Sequence, residues 1–337
     1  ACEAVIAGMR AHVSNTDVQY WGARAACNLA VNDSIKTKLS VAGACEAVVA
    51  GMRAHLSSAD VQHYGVRAVH TLPVNDIIRT KFGDVGAAEA VLLGMRAHAP
   101  NAGVQHYGAW AVETMAVNDA IRAKLAAAGA CEVVVAAMSA HVSNADVQLH
   151  GATAVFSLAA NDTNSTRLGA AGACEAVVAG MQAHVSNTDV QHYGAWAVIN
   201  LAANATNQAK LGAAGACDAV VAGMRNHVSN AGVQHYGAWA VCTLAANNDT
   251  NTAKLCGAGA CKAVVAGMRA HISNADMQHY GARAVETMAV NDTNKAKLCA
   301  AGACEAVVAS MRAHVSDADV QHYGARAVET LAADNTV

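Results

Sequence analysis

The chain has 337 residues, of which 54% are hydrophobic, only 4% aromatic and two are proline, a balance that excludes Pro-rich disorder and argues against a β architecture. Charged residues make up 14% and the formal net charge is −3, so nothing points to a nucleic acid or an anionic lipid surface as partner. No uncharged apolar run reaches the roughly 18 residues expected of a membrane span.

One pattern is read eight times along the chain. Counted from the Gly that opens each copy, the starts are Gly43, Gly86, Gly129, Gly172, Gly215, Gly259 and Gly302, spaced 43 residues apart except for one step of 44. The extra residue falls in 246–252. A first copy begins at Ala1 without its Gly, and the last is cut short at Val337. The repeats are 1–42, 43–85, 86–128, 129–171, 172–214, 215–258, 259–301 and 302–337, read together as one repeat domain. Opening inside a repeat, without an initiator Met, reads as a fragment of a longer protein. A fixed period of this length marks a helical array.

Each copy predicts three helices. The first follows the Gly, as in 44–55, where Cys45, Val48, Val49 and Met52 recur at helical spacing. Its Met stands in every copy (Met9, Met52, Met95, Met138, Met181, Met224, Met268, Met311) and belongs to the core, because Met fills gaps between small side chains. A turn follows, typically Ser-Asn-x-Asp. Ser186 and Asp189 stand at capping-box spacing, and six copies carry both residues. Pro100 and Gly103 break the pair in the third copy and Gly232 breaks it in the sixth, which predicts two weakly capped helices.

The long helix comes next, predicted over about 189–202 in the fifth copy. Val190, Gly194, Ala197 and Leu201 share one face. His192, Trp196, Ile199 and Asn200 fall outside it, with Trp196 roughly 130° from the stripe's centre. Either a neighbouring repeat covers such a Trp or it lines a binding surface. Each long helix also holds a Gly (Gly22, Gly65, Gly108, Gly151, Gly194, Gly237, Gly281, Gly324), which costs about 1 kcal/mol against Ala and implies close approach by another helix. A short third helix is predicted over 291–301, stopping at Gly302.

Three helices per repeat, one of them short, favour an armadillo array over a two-helix HEAT array. The motif Trp196-Ala197-Val198-Ile199-Asn200-Leu201-Ala202 resembles the third helix of armadillo repeats of the importin alpha and beta-catenin type, and Val190-Gln191 resembles the start of that helix. The resemblance covers essentially the whole chain. It implies an all-α, right-handed armadillo-like solenoid with a concave groove, where the Trp and Asn hold an extended peptide. Trp196 and Asn200 match both positions, Trp110 and Trp239 match the Trp, and Asn28 matches the Asn. The Asn place otherwise holds Thr71, Thr114, Ser157, Thr243, Thr287 and Thr330, so hydroxyls are expected to replace most of the main-chain clamp. The Trp place reads Arg24, Arg67, Trp110, Thr153, Trp196, Trp239, Arg283, Arg326, a groove basic at both ends and aromatic in the middle.

The remaining reactive side chains have structural readings. Eight of the 16 His end the first helices, where cations are favoured. Six more (His63, His106, His192, His235, His279, His322) flank the Trp and Arg row and would give the groove a pH-sensitive charge. A row spaced one repeat apart cannot chelate one metal ion, and no cofactor motif appears. Glu113, Glu286 and Glu329 lie three residues after the row, and Glu286 and Glu329 are expected to pair with Arg283 and Arg326 of their own helices. Seven of the 11 Cys share one repeat position (Cys2, Cys45, Cys131, Cys174, Cys217, Cys261, Cys304). Equivalent residues of stacked repeats lie beyond disulfide reach, which suits buried thiols in a reducing cytoplasmic or nuclear setting. The function expected is a non-enzymatic scaffold whose groove takes a protein segment or extended peptide. The alternative is a regulatory or targeting region of a larger enzyme such as a kinase. Pro73, Phe82 and the extra residue near Asn247 speak against an idealised design.

Overall fold

The computed structural model describes residues 1–333, which form 23 α-helices. Seven copies hold three helices, and the eighth holds two among the described residues. In the fifth copy these are Ala173–Ala183, Thr188–Ala202 and Ala205–Ala214. The short helix expected over 291–301 is Asp292–Ala300. The chain divides into two compact units, Ala1–Ala171 and Gly172–Val337, each holding four copies. Within each unit the long helices lie against one another in succession, and the first and short helices pack beside them.

Each opening Gly, from Gly43 to Gly302, has φ between 79° and 93°. This left-handed turn ends one helix and starts the next, and a Cβ would oppose it. The extra residue of the sixth copy is absorbed in the same way: Asn247 stands at φ 53° between Ala231–Ala245 and Asp249–Ala258. Asn tolerates this region better than other side chains.

The stripe Val190, Gly194, Ala197 and Leu201 is buried as expected. Ile199, read as lying off it, is buried too, because a neighbouring long helix covers a second side. The helix glycines meet side chain rather than backbone. A Cβ on Gly194 would lie 2.5 Å from Met181 Cγ and 2.9 Å from its Sδ. The same pairing recurs in every copy, from Gly22 with Met9 to Gly324 with Met311. The Met stripe and the Gly row are two halves of one fit.

A buried Gln completes this joint. Gln191 Nε2 donates to the carbonyls of Met181 at 2.8 Å and His184 at 3.0 Å, two of the acceptors that a helix end leaves orphaned. All eight copies repeat the pair of bonds. The Gln oxygen faces a second Gly in the next copy: a Cβ on Gly223 would lie 2.6 Å from Gln191 Oε1. Within each unit, the His ending a first helix staples it to the preceding copy. His227 Nε2 donates to the Val185 carbonyl at 2.8 Å and His271 to the Val228 carbonyl at 2.8 Å in the second unit, as His55 does to Val13 at 2.7 Å in the first. Each of these contacts is a directed hydrogen bond between copies, which the sequence reading did not foresee.

The capping expectation is corrected. The cap is the Asn one residue after the Ser: Asn187 Oδ1 accepts from the Val190 amide at 3.1 Å. The third and sixth copies keep this Asn, and Asn101 and Asn230 cap at 3.1 and 2.9 Å, so those two helices are not weakly capped. Ser58 and Asp317 take the place in the second and last copies.

Two outcomes are expected from urea unfolding. Gly194→Ala should destabilise the protein by about 1–3 kcal/mol, the usual cost of overpacking a filled core, and Met181→Ala by about 2–5 kcal/mol. The double variant should cost less than the sum of the two, and strict additivity would show that the residues do not share one fit. Asn101→Ala and Asn187→Ala should each cost about 1 kcal/mol, whereas Ser186→Ala should leave the midpoint unchanged.

Candidate functional site

The row read as a groove lies on the long helices, and apart from Thr153 its side chains are half-buried or exposed. In the first unit, the Arg24 guanidinium lies 5.6 Å from the Tyr64 ring centre and Arg67 lies 5.5 Å from that of Tyr107. Trp110 stacks against His70 at 3.6 Å and against His150 of the next copy at 4.0 Å. Asn28 is exposed near the end of Thr16–Leu29. Thr153 is buried, and its hydroxyl donates to Glu113 at 2.7 Å.

In the second unit, Trp196 lies 5.2 Å from Tyr236, Trp239 stacks on Tyr280 at 4.4 Å, and Arg283 lies 5.4 Å from Tyr323. Asn200 is half-buried. Each row residue in these pairs therefore rests on the ring one copy ahead. The flanking His does the same: His235 lies 5.1 Å from Tyr280 and His279 lies 4.7 Å from Tyr323. A neighbouring ring covers part of each indole, and the rest remains accessible. The Tyr row (Tyr64, Tyr107, Tyr236, Tyr280, Tyr323) escaped the sequence reading. The signal was the His-Tyr pair standing in register beside the row. Trp21 fills the Tyr place of the first copy and is 58% exposed.

Glu113 and Glu286 reach forward rather than along their own helix. Glu286 pairs with Arg326 of the next copy at 2.6 Å, not with Arg283. Among the described residues, neither Arg67 nor Arg283 has a carboxylate at ion-pair distance. Four of the hydroxyls at the Asn place turn into their own helices. Thr114, Thr243, Thr287 and Thr330 donate to the carbonyls of Trp110, Trp239, Arg283 and Arg326 at 2.8–3.0 Å. A hydroxyl whose proton is turned into its own helix offers a ligand only an acceptor, whereas an Asn amide offers both. Away from the row, an apolar cleft of about 420 Å³ opens beside Met95, Gln105 and Ala137, where Ala137 stands in the place held by Gly223 in the sixth copy.

Burial holds His63, His70, His106, His192, His235 and His279 below their ordinary value of 6.5, His70 at about 3 with added repulsion from His150 and His106. These six imidazoles beside the row are thus held toward the neutral form. Among the described residues no group of three or more His, Cys, Asp or Glu is placed to hold a metal ion, and no single helix is long and apolar enough to cross a membrane.

No known family model matches this chain, and no curated protein does. Solved structures are similar to it in fold. An engineered protein from a structural genomics consortium gives a TM-score of 0.81 at 22% identity, covering 98% of this chain and 78% of its own. A designed armadillo repeat protein in complex with the peptide (KR)4 gives 0.60 at 22% identity, covering 73% and 98%. A chain from work on a phosphorylation switch between cadherin and beta-catenin gives 0.81 at 16% identity, covering 98% and 60%. The fold is an all-α array of armadillo-like repeats, as the 43-residue period and the Trp motif lead one to expect.

The six lowered imidazoles give a pH dependence with a definite sign. Their folded values lie below the unfolded value of 6.5, so their contribution is fully present above about pH 6.5 and is lost as pH falls through the folded values. The urea midpoint should therefore drop between pH 7.5 and 4.5. His70→Phe, which keeps a ring against Trp110, should drop less than the parent, and an equal drop would remove His70 from the effect.

Proposed function

We propose that this chain is a non-enzymatic binding scaffold whose long-helix row takes an extended peptide segment. The observation that carries the reading is the pre-ordered row itself. In each unit, aromatic and Arg side chains stand in register, partly exposed, and stacking holds most of them in place before any partner arrives. Trp, Tyr and Arg are the side chains from which binding hot spots are usually made, and prior ordering reduces the entropy lost on binding.

The charge pattern favours one class of ligand. Arg67 and Arg283 are without a carboxylate among the described residues, so they suit acidic or phosphorylated side chains. Glu286 is already engaged by Arg326, so it is less able to attract a cationic ligand. Repeats stacked about 10 Å apart and a peptide rising about 3.3 Å per residue place on the order of three ligand residues on each copy. A segment with acidic residues at that spacing around an apolar centre fits the row best.

Fluorescence anisotropy of the full chain with labelled peptides tests this reading. Acidic, apolar-centred segments should bind more tightly than (KR)4. Arg67→Ala and Arg283→Ala should each weaken the best of them about tenfold, or about 1.4 kcal/mol. Trp196→Ala with Trp239→Ala should weaken it by more than about 2 kcal/mol. Unchanged affinity in all three variants would place binding elsewhere on the molecule, and tighter binding of (KR)4 would reverse the ligand class.

A further inference from the structure

Two copies carry a second thiol five residues before the repeat cysteine. Cys256 precedes Cys261, and Cys299 precedes Cys304. In other copies that earlier place holds Ser40, Gly83, Ala126, Gly169 or Gly212. The spacing spans the junction between a short helix and the next first helix, where Gly259 and Gly302 turn the backbone at φ 90° and 83°. The turn brings the sulfurs together: Cys299 Sγ lies 3.5 Å from Cys304 Sγ, and Cys256 Sγ lies 3.8 Å from Cys261 Sγ. Comparing equivalent positions across repeats does not reveal these pairs, because each forms within one junction.

The two pairs differ in access. Cys256 and Cys261 are buried, whereas Cys299 is exposed and Cys304 half-buried. Accessibility and thiolate character decide which thiols react. Cys299 also lies in the last turn of Asp292–Ala300, where helix ends open at little cost. Closing the sulfurs from 3.5 Å to the bonded distance of about 2.05 Å therefore needs only local movement.

We propose that Cys299 and Cys304 form a redox-active dithiol, a modification site that hydroperoxides oxidise to an intramolecular disulfide. The Cys299 thiolate attacks one peroxide oxygen. An S–O bond forms, the O–O bond breaks, and hydroxide leaves to take up a proton as water. Cys299 is then a sulfenic acid. The Cys304 thiolate attacks that sulfur, the S–S bond forms, and the S–O bond breaks with loss of a second hydroxide, also protonated to water. Two thiols give up two electrons and two protons, and hydrogen peroxide becomes two waters. Burial pushes the Cys304 thiol up, which suits it to the second, resolving role.

Treating the full chain with hydrogen peroxide, then denaturing, alkylating and digesting it with trypsin, tests the site. Peptide 298–312 should appear without alkyl groups and lighter by two hydrogens, while peptide 255–262 takes an alkyl group on each thiol. In Cys304→Ser, a dimedone adduct on Cys299 should accumulate severalfold over the parent. The proposal is overturned if peptide 298–312 stays fully alkylated while half-buried Cys2 is oxidised. It is equally overturned if Cys299 is found only in disulfides between chains, or if Cys304→Ser leaves the adduct at the parent's level.

Discussion

The repeat is held by the absence of a side-chain atom. Where each long helix crosses its first helix, a Gly leaves the space that a Met fills, and an added Cβ would lie 2.3–2.5 Å from the Met Cγ. Gly inside a helix loses about 1 kcal/mol of intrinsic stability against Ala. The buried Met offsets this, since truncating such a side chain costs several times as much. The adjacent Gln binds the Met carbonyl in the same joint, so apolar packing and the capping of a helix end are satisfied together. The oxygens of Gln19, Gln62, Gln191 and Gln234 in turn press on a Gly of the following copy, which carries the fit onward; Ala137 and Ser310 hold that place in the fourth and eighth copies.

The candidate binding row inherits its order from that packing. Arg67, Trp239 and Arg283 do not project freely, because each lies over a Tyr of the next copy. Ring stacking and cation–π contacts are worth about 0.5–1.5 kcal/mol each. That is enough to restrict a side chain without burying it. The row is therefore both an inter-repeat joint and a partly exposed surface, and a change at Trp239 acts on both. The forward reach of Glu286 to Arg326 and of Glu113 to Thr153 follows the same rule. These two acids are satisfied across the joint, whereas the Thr hydroxyls beside them bond within their own helices.

Histidine serves three purposes that one-letter spacing does not distinguish. At the ends of the first helices, Nε2 donates to a carbonyl of the preceding copy. Beside the row, imidazoles stack on Tyr and burial holds them neutral. His150 takes a Tyr place and stacks on Trp110. An imidazole is small enough to pack like an aromatic ring and polar enough to bridge helices. Its environment, not its place in the repeat, selects the role.

The sequence alone determined the period, the three helices of the first seven copies and the assignment of their Met to the core, Met311 of the last copy being half-buried. These are set by local periodicity and by Gly at the turns, which act within a few residues. It also placed the Trp and Arg row off the buried stripe of the long helix, because helical geometry carries a residue's angle directly. Tertiary structure decided what touches what. The Asn rather than the Ser caps the long helix, because the cap is chosen by where the helix starts, a one-residue difference that composition does not reveal. Glu286 turns to Arg326, the Tyr row supports the site, and Cys299 meets Cys304, because these contacts depend on the offset between copies and on a left-handed junction. Spacing along one helix encodes neither.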